Sequence, residues 1–271
     1  MVDIGGCDFT SSPGKIIKPM IPNCKRWLGV LLLCGAGVAC AREPLVIGVE
    51  NLHYLPLASH EKGVYRGFAR ELLDAFAEDL GYKVEYRPLP VPRLYAAFLA
   101  GQVDFKFPDN ANWKREMRAG REIHYSDPVA AYVDGTSVAP ARLGAGPQAI
   151  RRLGTLGGFT PWPWLERIRA GRPSLSENTS LEALVRQAVA GRVDGVYASV
   201  AVIHYQLDHV LKRPGALVFD AALPHSRDHY HLSTLRRPEV VREFNDWLRK
   251  NRERIAALKL RHGIEKGVPA P

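Results

Sequence analysis

The sequence predicts an α/β protein built as two similar lobes, and three observations carry that reading. A five-residue phrase occurs twice, 90 residues apart, as Ala100-Gly101-Gln102-Val103-Asp104 and Ala190-Gly191-Arg192-Val193-Asp194. Each copy follows a helical pattern, breaks at a glycine able to take the left-handed conformation, and leads into an apolar run. Short apolar runs rich in β-branched residues alternate with amphipathic patterns along the chain, as strands and helices do in α/β folds. The length of 271 residues, with 46% hydrophobic and 24% charged, suits one large globular domain or two small ones.

The first 41 residues stand apart. They hold all four cysteines (Cys7, Cys24, Cys34, Cys40), so nothing after Ala41 can form a disulfide or a thiolate metal site. Lys25-Arg26 reads as a positive n-region, 27–38 as an apolar h-region, and Ala39-Cys40-Ala41 as a small-x-small cleavage site. A start at Met20 would give a signal of ordinary length. The apolar stretch falls short of the ~20 residues that span a bilayer. The expectation is a signal peptide cleaved after Ala41 and a periplasmic, cysteine-free mature chain; Cys40 leaves a lipoprotein anchor open. Of the net charge of +9, +2 belongs to this leader (four cations against Asp3 and Asp8) and +7 to the rest. That excess is scattered, and no nucleic-acid partner is expected.

After Pro44, the run 45–49 reads as a buried strand, with Asn51, His53 and Tyr54 in a loop at its carboxyl end, where ligands collect in open α/β sheets. Residues 63–68 read as a turn-rich lead into a helix over 69–80, whose Leu72, Leu73, Phe76 and Leu80 share one face. Gly81 ends it, and 82–86 alternate as a strand. Pro88, Pro90 and Pro92 force an extended connection into a short helix over 93–100. The first repeat then launches a strand at 103–107, followed by the polar turn 108–113. A longer strand follows over 129–138, and 139–147 is a connection. A second series begins with a strand ending at Leu156, Gly157-Gly158-Phe159-Thr160, and a helix opened by Pro161. Ser180 caps the next helix, the second repeat launches strand 193–198, and 200–211 is a further helix. Strands at 217–219 and 230–233 and a strongly helical tail over 238–262 complete the chain.

Taken in order, Gly67-Phe68-Ala69-Arg70-Glu71-Leu72-Leu73, Gly81-Tyr82-Lys83-Val84-Glu85, the first repeat, Tyr125-Ser126-Asp127-Pro128 and Phe244-Asn245-Asp246-Trp247-Leu248 resemble the extracellular solute-binding proteins of family 3. The resemblance covers about 44–264. It implies the type II periplasmic binding protein fold, with lobe 1 over 42–138 plus 220–271, lobe 2 over 139–219, and crossings near 136–139 and 218–222. It also implies a monomer that closes on a small amino-acid-like or organic-acid solute and delivers it to an inner-membrane ABC permease, without catalysis or cofactor. The alternatives are a sensor module and a dehydratase-like enzyme, with His53 and Asp109 as candidate acid or base. Family members that bind α-amino acids hold the ammonium on an Asp five residues beyond the repeat's Asp; here that position is Ser199. Their carboxylate-binding Arg falls at Ala119, flanked by Arg118 and Arg121. The resemblance therefore does not carry over an ordinary α-amino acid ligand.

The candidate ligand-binding residues are Tyr54, Arg93, Asp109, Trp113, Gly158, Thr160 and Ser199. Gly158 and Thr160 stand where a helix N-terminus would offer unpaired N–H donors to an anion. Asp109 and Trp113 would add an acceptor and an aromatic wall, Arg93 an anion partner, and Tyr54 an apolar lining. Asp104 and Asp194 are expected to bond nearby backbone donors. His225, His229 and His231 form no metal signature.

Overall fold

The computed structural model describes residues 43–268 together with Gly14. The expected signal peptide, its cleavage site and Cys40 lie outside the described residues.

The first half of the molecule grows around β1 (Leu45–Glu50). Three short strands follow: β2 (His53–Tyr54), β3 (Ala58–Glu61) and β4 (Val64–Arg66), which form a small antiparallel sheet. The sequence reading had a loop and a turn-rich lead there. The difference lies at Lys62 and Gly63, whose φ angles of +50° and +80° give a two-residue turn matched to strand twist. Helix α1 (Phe68–Leu80) buries Phe68, Leu72, Leu73 and Phe76 and stops at Gly81, in the left-handed region. β5 (Val84–Leu89) pairs parallel with β1, then α2 (Val91–Leu99) begins behind Pro90. β6 (Phe105–Asp109) pairs parallel with the other side of β1, and α3 (Arg115–Arg118) and β7 (His124–Tyr125) follow.

β8 (Ala130–Val138) leads into the second half. There β9 (Arg152–Leu156) lies between two parallel partners, β10 (Ser174–Asn178), reached through α4 (Leu165–Arg169), and β11 (Gly195–Ser199), reached through α5 (Leu181–Val189). Ser180 caps α5 as expected, accepting from the Ala183 N–H at 3.2 Å. The helix expected over 200–211 is α6 (Val200–Tyr205) continued by a π-turn over Gln206–Val210. β12 (Val218–Phe219) precedes β13 (Ser226–Thr234), which returns the chain to the first half. The tail is two helices, α7 (Pro238–Lys250) and α8 (Arg252–His262). Asn251 separates them, its side-chain amide donating to the Trp247 carbonyl at 3.0 Å and so competing with the helix ladder.

Both halves share one sheet, in the order β10-β9-β11-β8-β13-β6-β1-β5, with β12 on β8 and β7 on β13. β8 and β13 run antiparallel from Ala130↔Tyr230 to Asp134↔Ser226. Beyond that, β13 pairs with β6 and β8 pairs with β11. The 136–139 and 218–222 segments meet within the second half, as Val138↔Val218 and Ser137↔Phe219.

The repeated phrase does the same work twice. Gly101 and Gly191 take φ of +69° and +71°, and the residues after them close the preceding helices by Gln102 N–H to Ala97 and Arg192 N–H to Gln187. Asp104 accepts from the Val46 N–H at 2.9 Å, and Asp194 from the Arg151 and Arg152 N–H groups at 2.9 and 2.8 Å. Val103 and Val193 pack beside Leu94 and Leu184 over Gly48 and Gly154. With each Asp spent on the neighbouring strand, β6 and β11 start two residues later than the sequence suggested.

Candidate functional site

The carboxyl ends of the strands in both halves face one small cavity of about 60 Å³, open to solvent at its mouth. From the first half come Glu50, the last residue of β1, Tyr54 of β2, Tyr95 of α2, and Trp113 and Lys114 before α3. From the second come Gly158, Phe159, Thr160 and Trp162 after β9, and Tyr197 of β11. The strands joining the halves add Asp134 of β8 and Tyr230 of β13.

Contacts across the cavity tie the halves together. The Ser199 N–H donates to Tyr54 Oη at 2.9 Å, and Lys114 Nζ donates to Thr160 Oγ1 at 2.9 Å. The Tyr54 and Phe159 rings meet edge-on, with centroids 5.3 Å apart. Gly158, at φ +89°, lies so near Val91 that an added Cβ would approach its Cβ to 3.2 Å.

Two carboxyls set the electrostatics. Burial raises the Asp134 pKa from 3.8 to about 7, and the Glu50 charge adds to the effect. Burial also raises Glu50, against the opposing field of Lys106. Neither carboxyl has a hydrogen-bond or ion-pair partner among the described residues. Burial likewise keeps the Tyr54, Tyr95 and Tyr230 hydroxyls protonated.

Behind the wall sits a buried ion network. Lys106, fully buried, donates to the Pro108 carbonyl at 2.6 Å and to Asp109 Oδ1 at 3.1 Å. Its ammonium is 4.7 Å from the Tyr95 ring centroid and 5.3 Å from that of Trp113. Asp109 also accepts from Arg118 at 2.6 Å and Ser233 Oγ at 2.5 Å. Burial alone would raise its pKa, but Lys106 and Arg118 hold it below the ordinary value. Arg118 also donates to Tyr125 Oη.

The sequence candidates therefore fall into two groups. Tyr54, Trp113, Gly158 and Thr160 line the cavity. Asp109 and Ser199 are buried outside the lining, Asp109 in the ion network and Ser199 behind Tyr54. Arg93 is exposed: Val91 and Tyr95, four apart, face the cavity, and a residue midway between them points the other way. His53 is also outside the lining, its Nδ1 2.7 Å from Ser59 Oγ. The helix expected to open at Pro161 begins instead as a single 3-10 turn over Trp162–Trp164, and α4 spans only five residues. Of the N–H donors expected over 157–160, those of Gly157 and Phe159 are taken by the Asn178 and Leu156 carbonyls.

Glu50, Asp134, Tyr95, Phe159, Trp162, Tyr197 and Tyr230 were not singled out from sequence. Glu50 ends the first strand, at the strand end that had drawn notice to Asn51 and Tyr54. Asp134 is an acid in the middle of an apolar strand, and that alone could have marked it.

Residues 45–256 match the family model of bacterial extracellular solute-binding proteins, family 3. Among solved structures, the arginine-, lysine-, histidine-binding protein ArtJ from the thermophilic bacterium Geobacillus stearothermophilus is 16% identical, with a TM-score of 0.66 over 81% of this chain and 95% of its own. A histidine kinase sensor domain with similarity to periplasmic binding proteins is 19% identical, with a TM-score of 0.68 over 85% and 99%. The ancestral amino acid-binding protein AncCDT-1, a precursor of cyclohexadienyl dehydratase, is 18% identical, with a TM-score of 0.63 over 81% and 94%. At such identities the likeness speaks for the fold. No curated protein matches the chain by sequence. With a family match running from the first strand into the last helix, and a mixed α/β fold whose neighbours are two-lobed type II periplasmic binding proteins, the chain belongs to the bacterial extracellular solute-binding proteins, family 3.

Proposed function

We propose that the protein is a periplasmic solute-binding protein, exported by a cleaved signal peptide, that captures a small polar solute and presents it as a monomer to an inner-membrane ABC permease. On this reading the two lobes are the two halves, with β8 and β13 as the crossing strands, so the divisions at 138/139 and 219/220 expected from the sequence fall a few residues inside lobe 2. The observation that carries the proposal is the cavity itself, walled by both halves and bridged by the Tyr54–Ser199 and Lys114–Thr160 hydrogen bonds. Those bonds require the halves to be close, so a solute that fills the cavity favours the closed arrangement by its contacts with both walls. Of the sequence candidates, Tyr54, Trp113 and Thr160 would touch the solute and Gly158 would admit it; Ser199 would act through Tyr54. The module has no catalytic role in this proposal.

The sensor-domain neighbour favours a second reading, in which the closed form signals to a membrane kinase instead of loading a permease. The test common to both is thermal unfolding of the mature chain against panels of amino acids, organic acids, amines and sugars. A bound solute stabilises by about 2.7 kcal/mol at a hundredfold excess over its dissociation constant. Stabilisation by one class without turnover supports solute capture; turnover would support the dehydratase-like alternative instead.

A further inference from the structure

Resting on the solute-binding reading, we propose that the solute carries an organic cation, a protonated amine or a guanidinium, seated between Glu50 and Asp134 and faced by aromatic rings. The lining holds two acids against one base, Lys114, and that base is engaged with Thr160. The nearby cations form no ion pair with the acids, although the Lys106 charge acts on Glu50. Lys106 is spent on Pro108 and Asp109, and Arg118 on Asp109 and Tyr125. Two partly buried carboxyls without partners are a cost wherever no cation sits between them. A cation with N–H donors removes that cost, whereas an anion would add to it.

The walls agree with the charge. Tyr54, Trp113, Phe159, Trp162, Tyr197 and Tyr230 line the same space. Ring faces attract cations, and more strongly where water is excluded. Glu50 ends a strand of the first half. Asp134 lies on β8 with Ser199 of β11 on one side and Ser226 of β13 on the other, at the junction of the halves. A cation between them is therefore held where closure shuts the cavity. The same pair replaces, from different elements, the acid that Ser199 lacks.

The electrostatics of the site support this placement. Asp134 feels Glu50 from β1, and its own charge bears on Tyr54 of β2, Tyr132 of β8, Tyr197 of β11 and Tyr230 of β13. Burial leaves Asp134 half-protonated near neutrality, so a cation must expel that proton. Its affinity then rises severalfold from about pH 6 to about pH 8.

The test is titration calorimetry of the mature chain with two matched pairs: n-butylguanidinium against n-butylurea, and n-butylammonium against 1-butanol. The charged member of at least one pair is expected to bind about tenfold or more tightly than its neutral twin. Glu50→Gln and Asp134→Asn should each weaken that cation by about tenfold, with the folded circular-dichroism spectrum retained, and Asp134→Asn should flatten the pH dependence. Equal or tighter binding of the neutral members overturns the inference. Binding of succinate, glucose or another uncharged or anionic solute, with no cation bound, overturns it while leaving solute capture in place. Failure of every cation, acid, amino acid and sugar to bind overturns both.

Discussion

Replacing Asp134 by asparagine is expected to stabilise the empty protein, and to do so only where the aspartate would be ionised. In the folded chain its pKa stands at about 7, against an ordinary value of 3.8. Between those values the folded state holds a proton that the unfolded chain has released, so stability falls as pH rises through that window and stays low above it. At about 1.4 kcal/mol per pKa unit, the three-unit difference is worth roughly 4 kcal/mol at most. Water in the open cavity reduces the realised figure. Asparagine keeps the shape and removes the charge. For a chain of this size each kcal/mol shifts Tm by about 2–4 °C. The variant is therefore expected to gain several degrees at about pH 8 and almost nothing at about pH 4. Thermal unfolding followed by circular dichroism at both pH values measures the difference. A gain that is the same at both, or a loss at the higher pH, would refute the reasoning.

Three further outcomes follow from the geometry. Tyr54→Phe removes the acceptor of the buried Ser199 N–H and should cost about 1–3 kcal/mol of the closed form, read as weaker solute binding with a smaller change in Tm. Gly158→Ala places a methyl against Val91 from a backbone at φ +89°, so it should weaken solute binding and also cost about 1 kcal/mol or more in urea unfolding of the protein without solute. Gly48→Ala and Gly154→Ala would set a Cβ at 2.5 Å from Leu94 Cδ1 and 2.6 Å from Leu184 Cδ1. Each should destabilise by about 1–3 kcal/mol in urea unfolding, and the two losses should be similar.

The sequence revealed features whose signal is local. Gly101 and Gly191 announce helix ends by their conformational freedom, Ser180 announces a cap by its hydroxyl, and the run from Leu45 announces a buried strand by its apolar continuity. The hairpin of Ser59, His60 and Glu61 was hidden because those side chains follow no apolar alternation, and its turn begins at a lysine. Asn251 divides the tail through a side-chain bond that periodicity does not register. Asp109 looked like a ligand acceptor because it ends a strand, but its partners include Ser233, 124 residues away. Arg93 looked available because it is charged and follows prolines, yet the face of α2 that reaches the cavity belongs to Val91 and Tyr95. Glu50 and Asp134 are far apart in sequence, and their common environment exists only once β1 and β8 have been brought to the same cavity.

The most direct test of capture between two halves is a distance measurement across the cavity. Residues 42–271 contain no cysteine, so labels can be placed in that segment by Val64→Cys and Leu175→Cys, on exposed strand positions of the first and second halves. Pulsed electron–electron spin resonance would be recorded without solute and with n-butylguanidinium or n-butylammonium, whichever binds more tightly. A broad or longer distance distribution without solute, narrowing to a single shorter distance with it, is the expected result. An unchanged distribution at saturation would contradict closure on the solute.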